Sequence, residues 1–108
     1  MEFITRLEEM LLIAIWKLKE EAYGVSINKQ VSKLSDKNYT IGSLYFSLDQ
    51  LYRKGLIDKS HGEPTPERGG RRKIYYSLTP EGEKALEAVR SLHAKLWGGV
   101  PDSINWSE

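Results

Sequence analysis

The sequence predicts a mainly helical α+β fold, and three observations support this prediction. Apolar residues recur at three- and four-residue steps in four separate stretches, as on helices that bury one face. Two short stretches, Leu56–Ser60 and Lys73–Leu78, are predicted strands. The eleven residues between His61 and Lys73 include two prolines and three glycines, which is typical of a loop. Three helices, a hairpin and a last helix form, in this order, a winged helix-turn-helix with an additional C-terminal helix.

Length and composition limit what the chain can be. Its 108 residues predict one domain that buries roughly two-thirds of its unfolded surface. It has no cysteine, which excludes disulfides and thiolate metal sites and fits a reducing compartment. His61 and His93 are far apart and have no patterned carboxylates beside them, so neither a metal site nor a cofactor is expected. No catalytic arrangement is recognisable, so an enzyme is not expected.

No segment is predicted to cross a membrane. The apolar run Met10–Trp16 is too short to span a bilayer, and charged residues flank it on both sides. No small-residue cleavage site follows this run, so it does not resemble a secretory signal. A soluble, cytoplasmic protein is therefore expected.

Positive charge is concentrated in the middle of the chain. The formal net charge is only +1, yet residues 37–76 carry eight basic residues against four acidic ones. Residues 1–24 and residues 77–108 each carry three basic residues against five acidic ones. A basic centre between acidic ends suggests a local surface for a polyanion.

The first predicted helix runs from a capping box, formed by Thr5 and Glu8, to about Lys19. It carries more apolar residues than one buried face needs. Two interpretations remain open at this point: the helix is central to the core of a monomer, or it packs against its own domain and also against a second subunit.

The next two predicted helices are joined by a tight turn of four residues, as in a helix-turn-helix. Val25–Ser35 is expected to turn Ile27, Val31 and Leu34 inward. Thr40 is the expected N-cap of the third helix, and Gly55 is expected to end it in a left-handed conformation. The predicted apolar stripe of this third helix, Thr40–Lys54, comprises Ile41, Leu44, Tyr45, Leu48, Leu51 and Tyr52.

The opposite face of the third helix is predicted to contact DNA bases. It is small, polar and free of acidic residues before Asp49. Gln, Ser and an aromatic ring can each read base edges or a thymine methyl in the major groove. The alternative is an ordinary solvated helix face. The predicted base-contacting residues are Ser43, Phe46, Ser47 and Gln50.

Two further groups are predicted to bind the DNA backbone. The first lies near the start of the third helix, where free N–H groups and the helix dipole favour phosphate, and comprises Lys29, Lys37, Asn38, Tyr39 and Thr40. Lys29 and Lys37 are alternatively mere solvated charges. The second group is the basic half of the hairpin loop, which comprises Arg68, Arg71, Arg72 and Lys73. One of these four side chains is alternatively expected to lie over Tyr75.

A final helix is predicted to start at Thr79-Pro80-Glu81, where a hydroxyl cap, a first-turn proline and an acid come together. Its apolar seam runs to Trp97, and Gly98, Gly99 and Pro101 end it. The expected organisation is a DNA-binding domain over residues 1–79, this helix over residues 80–97, and a tail over residues 98–108 without assigned structure.

Several motifs at matching offsets closely resemble the PadR family of transcription regulators, from about Leu7 to Leu96. The densest are the Leu-Tyr pair of the third helix and the passage from Gly69 to Thr79. The motifs are Tyr23-Gly24, Gly42-Ser43-Leu44-Tyr45, Leu48 with Leu51, Gly55-Leu56-Ile57, Gly69-Gly70-Arg71-Arg72-Lys73, Tyr76 with Leu78-Thr79, and Gly82.

The resemblance implies a homodimer on a roughly palindromic operator, usually a repressor that a small ligand releases. It also implies the compact subfamily, whose single C-terminal helix pairs with the partner subunit. Many members have a proline beside the Gly-x-Leu-Tyr run, where this chain has Ile41 and Phe46, so its base-reading face differs. The implied dimerisation residues are Leu7, Leu11, Leu86, Val89, Leu92, His93 and Leu96.

Two tryptophans are candidates for a pocket that binds a small hydrophobic or aromatic effector. Trp97 lies near the end of the helix that is expected to pair, where its ring either lines an apolar hollow or anchors the dimer. For Trp16, packing is the alternative to ligand contact. A different kind of function also remains open, since winged helices also serve as protein-interaction modules that do not bind DNA.

Overall fold

The computed structural model of the protein describes residues 4–62 and 73–103, and it has the predicted α+β winged-helix architecture. Over these two ranges, four α-helices, a 3-10 turn and a two-stranded antiparallel sheet follow one another along the chain. The elements are α1 (Arg6–Leu18), the 3-10 turn (Lys19–Glu21), α2 (Gly24–Ser35), α3 (Ile41–Arg53), β1 (Ile57–His61), β2 (Ile74–Leu78) and α4 (Pro80–Trp97).

Hydroxyl caps fix where three of the helices begin, as predicted. The Thr5 hydroxyl accepts a hydrogen bond from the N–H of Glu8 at 3.0 Å, and the Glu8 carboxylate accepts one from the N–H of Thr5 at 2.9 Å. Thr40 and Thr79 accept in the same way from the residues three positions further on. Gly55 follows α3 with a φ of 76°, a left-handed conformation that glycine adopts without a steric penalty.

Helix α1 is the centre of the core, and the other elements pack around it. Two of its sides are buried within the chain, which explains why it carries so many apolar residues. Tyr76 brings the wing onto the same core. The fully buried side chains include Leu11, Leu12, Ala14 and Ile15 of α1, Ile27 and Val31 of α2, Leu44, Leu48 and Leu51 of α3, and Ile57 of β1.

Several residues that were predicted to point inward are exposed. On α3 the buried line consists of Leu44, Leu48 and Leu51, which are spaced at four and three residues. Ile41, Tyr45 and Tyr52 lie to one side of this line, so Tyr45 remains 45% exposed and Ile41 66% exposed. Leu34 of α2 (49% exposed) also lies beyond the edge of the core.

The wing is attached to the segment that follows α1. In the hairpin, Ile57 pairs with Leu78 and His61 pairs with Ile74. On its other edge, the N–H of Tyr76 donates a 2.8 Å hydrogen bond to the carbonyl of Ala22, and an isolated bridge joins Tyr23 to Tyr75. Strand β2 is therefore hydrogen-bonded to β1 on one edge and to the segment after α1 on the other.

Two adjacent carboxylates near the start of α1 connect it to two other helices. The Lys54 ammonium, at the end of α3, donates hydrogen bonds of 3.0 and 2.9 Å to the Glu8 carboxylate. Glu8 is only 4% exposed. On the next residue, the Glu9 carboxylate lies 3.1 Å from Nε2 of His93 on α4. The first turn of α1 thus contacts both the DNA-reading candidate α3 and the C-terminal helix α4.

Helix α4 packs along α1 as far as His93, and its last turn lies beyond this contact. The structure describes all 18 of its residues, and the one that is fully buried is Gly82, close to its start. The radius of gyration is 16.3 Å, whereas a compact chain of this length has a value of about 13 Å. In the described ranges, no helix is both long and apolar enough to cross a membrane.

We expect Lys54→Met to lower the free energy of unfolding by about 2–3 kcal/mol, because it leaves the buried Glu8 carboxylate without its charged partner. This loss is somewhat below that for fully buried pairs, since the Lys54 side chain is 26% exposed. Lys33→Met, the same change at an exposed helical lysine, should alter stability by no more than about 0.5 kcal/mol. Urea denaturation of both variants at one protein concentration measures the difference. Equally small losses would show that the pair contributes little.

Candidate DNA-binding surface

The four residues of α3 that are predicted to read bases are exposed or partly exposed. Phe46 is 65% exposed, so the described part of the chain leaves most of this large apolar ring uncovered. Ser43 is exposed, and Ser47 and Gln50 are partly exposed. Ser43, Phe46 and Gln50 lie on one side of the helix, away from the buried leucine line, and Ser47 lies between them and that line.

A second strip of α3, which faces the wing, was not predicted. It consists of Tyr45, Asp49 and Tyr52. The ammonium of Lys59 on β1 lies 4.4 Å from the ring centroid of Tyr52, which joins this strip to the sheet. Tyr45, Leu48 and Tyr52 follow one another at steps of three and four residues. This spacing is typical of one apolar stripe, so the two tyrosines were predicted to lie in the core.

Tyr76 of the wing lies against this strip. Burial raises the pKa of the Tyr76 phenol above its usual range, and the negative charges of ionised Tyr45 and Asp49 raise it further. Tyr45 of α3 and Tyr76 of the wing line the same small cavity.

The predicted phosphate-binding residues near the start of α3 are exposed or partly exposed. Lys37 to Thr40 form the turn before α3, and the Lys37 ammonium lies 5.0 Å from the ring centroid of Tyr39. The Thr40 hydroxyl accepts from the Ser43 N–H and donates to the Ser43 hydroxyl, so it is engaged in the cap. Lys29 lies on the exposed side of α2.

At the base of the wing, Lys73 is held above an aromatic ring. Its ammonium lies 4.1 Å from the ring centroid of Tyr23. Tyr23 and Tyr75 pack edge to face at 5.8 Å, which supports this position. Arg68, Arg71 and Arg72 lie outside the residues that the structure describes.

Comparison with protein families decides what kind of winged helix this is. Residues 11–88 match the model of the PadR-like family of transcriptional regulators, which is most of the chain. The chain belongs to this family. It is accordingly a DNA-binding transcriptional regulator.

Solved structures of similar proteins agree with this assignment. RosR of H. salinarum is 29% identical, with a TM-score of 0.64 over 93% of this chain and 81% of that chain. A PadR-like transcription factor from Bacteroides fragilis is 27% identical, with a TM-score of 0.71 over 87% and 85% of the two chains. A PadR family regulator from Clostridium difficile is 26% identical, with a TM-score of 0.65 over 89% and 94%. No curated protein sequence matches the chain significantly.

In this PadR-like chain, the predicted dimerisation residues differ in how accessible they are. Leu7, Leu86, Val89, Leu92 and His93 are partly exposed, and Leu96 is 63% exposed. Leu11 is fully buried within its own chain, so its predicted place at a subunit interface is wrong. The core of the domain already covers this position of α1.

The two tryptophans of the predicted effector pocket do not come together within one chain. Trp16 is 59% exposed and lines a groove of about 560 Å³ between α1 and α4, together with Ile13 and Leu86. Glu83 lines the same groove. Trp97 lies fourteen residues further along α4 than Glu83, which corresponds to about 20 Å. Among the residues that the structure describes, no cluster of three potential metal ligands is found.

Proposed function

We propose that this PadR-like regulator is a homodimeric repressor that holds one α3 helix in each of two successive major grooves. The observation that carries this proposal is the outward face of α3, which has no acidic residue before Asp49 and on which Phe46 is 65% exposed. An exposed aromatic ring beside Ser and Gln side chains suits a thymine methyl and neighbouring base edges. The two half-sites of a palindromic operator would then lie about 34 Å apart.

Phosphate contacts on both sides of α3 would fix its register in the groove. Lys37 and Asn38 precede the start of α3, where unpaired N–H groups attract an anion. Lys73 lies at the base of the wing, and its position over Tyr23 holds the ammonium at the edge of the domain. The loop residues Arg68, Arg71 and Arg72 complete this proposal from the sequence alone. Such contacts supply affinity but no sequence preference.

Base contacts and phosphate contacts are separable by their dependence on sequence and salt. We expect Gln50→Ala to cost about 1–3 kcal/mol of discrimination at one base-pair position and to leave affinity for unrelated duplexes unchanged. We expect Lys73→Ala to weaken binding to all duplexes and to reduce the salt slope by about one unit. Fluorescence anisotropy with the best duplex selected from random sequences measures both effects.

The matched control is Lys84→Ala, which removes an exposed lysine of α4 and should change neither quantity. If wild-type protein shows no salt-dependent affinity for any duplex, the proposal is wrong and a protein-interaction module becomes the better explanation. If Lys73→Ala and Lys84→Ala behave alike, Lys73 does not contact phosphate.

The far half of α4 is the proposed dimer contact. Leu96 and Trp97 are 63% and 59% exposed, and with Leu92 they continue the apolar seam of α4 beyond the domain. An exposed apolar stripe at the end of a projecting helix is costly in water unless another surface covers it. A second copy of the same helix, related by a twofold axis, presents a matching stripe.

We expect Leu96→Glu to convert the dimer into a monomer, because it places a charge in the apolar seam without disturbing the core. Ala94→Glu introduces the same charge on the other side of α4 and should leave the dimer intact. Sedimentation velocity of both variants distinguishes the two states. A wild-type protein that sediments as a monomer, or a Leu96→Glu variant that remains dimeric, would contradict this interface.

Release from DNA is proposed to depend on a small aromatic effector between α1 and α4. The groove beside Trp16 has a volume of about 560 Å³, within the range of about 300–1,000 Å³ that is usual for small-molecule sites. A ligand that separates α4 from α1 would alter the distance between the two α3 helices of the dimer. Trp97 enters this proposal only through the dimer, since it lies outside the groove of its own chain.

We expect planar aromatic compounds to quench the emission of a variant that retains Trp16 as its single tryptophan, and to weaken operator binding at the same concentrations. The variant Trp97→Phe/Trp106→Phe provides this probe. A second variant that retains only Trp97 shows whether that ring also contacts the ligand. Quenching without any loss of DNA affinity would show that ligand binding in the groove does not regulate DNA binding.

A further inference from the structure

Tyr45 and Gly24 meet where α2, α3 and the wing come together. Tyr45 is on α3, next to Phe46, and Gly24 is the buried first residue of α2. A Cβ atom at Gly24 would lie 2.0 Å from the Tyr45 Oη, 2.8 Å from its Cζ and 3.2 Å from its Cε1. The ring of Tyr45 therefore occupies the space that any side chain at position 24 would need.

The backbone at Gly24 does not itself require glycine. Its φ is not positive, unlike those of Gly55 and Gly99, and it begins a helix of 12 residues. Alanine is a better helix former than glycine at such a position. The close approach of the Tyr45 ring is thus the physical reason for a glycine here.

The same ring also contacts the wing side of the domain. Gly24, Tyr45, Ile74 and Tyr76 line one small cavity of about 110 Å³. One side chain of α3 thus lies against the first residue of α2 and lines the same cavity as the second strand of the wing.

We propose that Tyr45 is a positioning residue whose ring, seated against Gly24, sets the orientation of α3 relative to α2 and the wing. The core leucines of α3 hold the helix against α1, but a single apolar line leaves rotation about the helix axis weakly constrained. Tyr45 lies beside this line and reaches the neighbouring helix, so it resists that rotation. The base-reading residues Phe46 and Gln50 turn with α3, and their aim therefore depends on this contact.

This inference rests on the proposed use of α3 in the major groove, and a double-mutant cycle tests it. Gly24→Ala should reduce affinity for the selected duplex at least about tenfold, comparable to the loss of one base contact, because the new methyl group displaces the ring. In a Tyr45→Leu background, the same Gly24→Ala change should cost less than about twofold, since nothing remains to be displaced.

Two further measurements distinguish positioning from simple loss of folding. Gly24→Ala should leave affinity for an unrelated duplex nearly unchanged, because phosphate contacts tolerate a small rotation of α3 that base contacts do not. Tyr45→Phe retains the ring and should bind within about threefold of wild type, whereas loss of a direct contact from the hydroxyl to DNA would make it resemble Tyr45→Leu. Thermal unfolding confirms that each variant is folded at the assay temperature.

The outcomes separate the inference from the function on which it rests. If wild-type protein selects no duplex, the proposed DNA contact fails, and the positioning inference is rejected together with it. If wild-type protein selects a duplex and Gly24→Ala costs the same in the wild-type background as in the Tyr45→Leu background, only the positioning inference is overturned. Equal losses for selected and unrelated duplexes also overturn it.

Discussion

The buried carboxylate of Glu8 is the interaction on which the arrangement of helices depends. It accepts hydrogen bonds from the Thr5 N–H and from the Lys54 ammonium, so the start of α1 and the end of α3 meet at one charged group. A carboxylate that is 4% exposed cannot remain ionised at low cost without such partners. Because the buried Glu8 carboxylate is stabilised by the Lys54 ammonium, this ion pair fixes the C-terminal end of α3 against α1. Tyr45 restrains the same helix at a different point, next to α2.

The adjacent residue, Glu9, connects α1 to a second helix, α4. Its carboxylate contacts His93 of α4 at 3.1 Å, so consecutive residues of one helical turn contact α3 and α4. A packed helix transmits displacement as a rigid element when both of its contacts are specific. Movement of α4 relative to α1 would therefore reach the end of α3 through two neighbouring side chains. The groove beside Trp16 lies between the same two helices, so a ligand of the proposed kind bound there would act directly on α4.

Local features of this chain were predictable from its sequence, and contacts between distant residues were not. The caps at Thr5, Thr40 and Thr79 and the turn at Gly55 follow from residue type within a few positions, and the structure confirms them. The Glu8–Lys54 pair joins residues 46 positions apart, and no spacing rule indicates it. The exposure of Tyr45, Leu34 and Ile41 depends on where neighbouring helices end, which apolar periodicity does not define. The missed strip of α3 is of this kind: Tyr45 and Tyr52 have core spacing but face the wing.

The burial of Leu11 limits where two subunits of the proposed dimer could meet. Leu11 packs in the core of its own chain and is not accessible to a partner. Among the predicted dimerisation residues and their neighbours on α4, Leu96 and Trp97 are the most exposed apolar side chains. The groove beside Trp16 is lined along α4 as far as His93, so the proposed subunit contact lies about one helical turn beyond its end. In the proposed dimer, α4 would contact its own DNA-binding domain as far as His93 and the partner subunit immediately beyond it. A change in the angle of α4 at the groove would then displace the two domains relative to each other, and a fixed spacing of half-sites is sensitive to such a displacement.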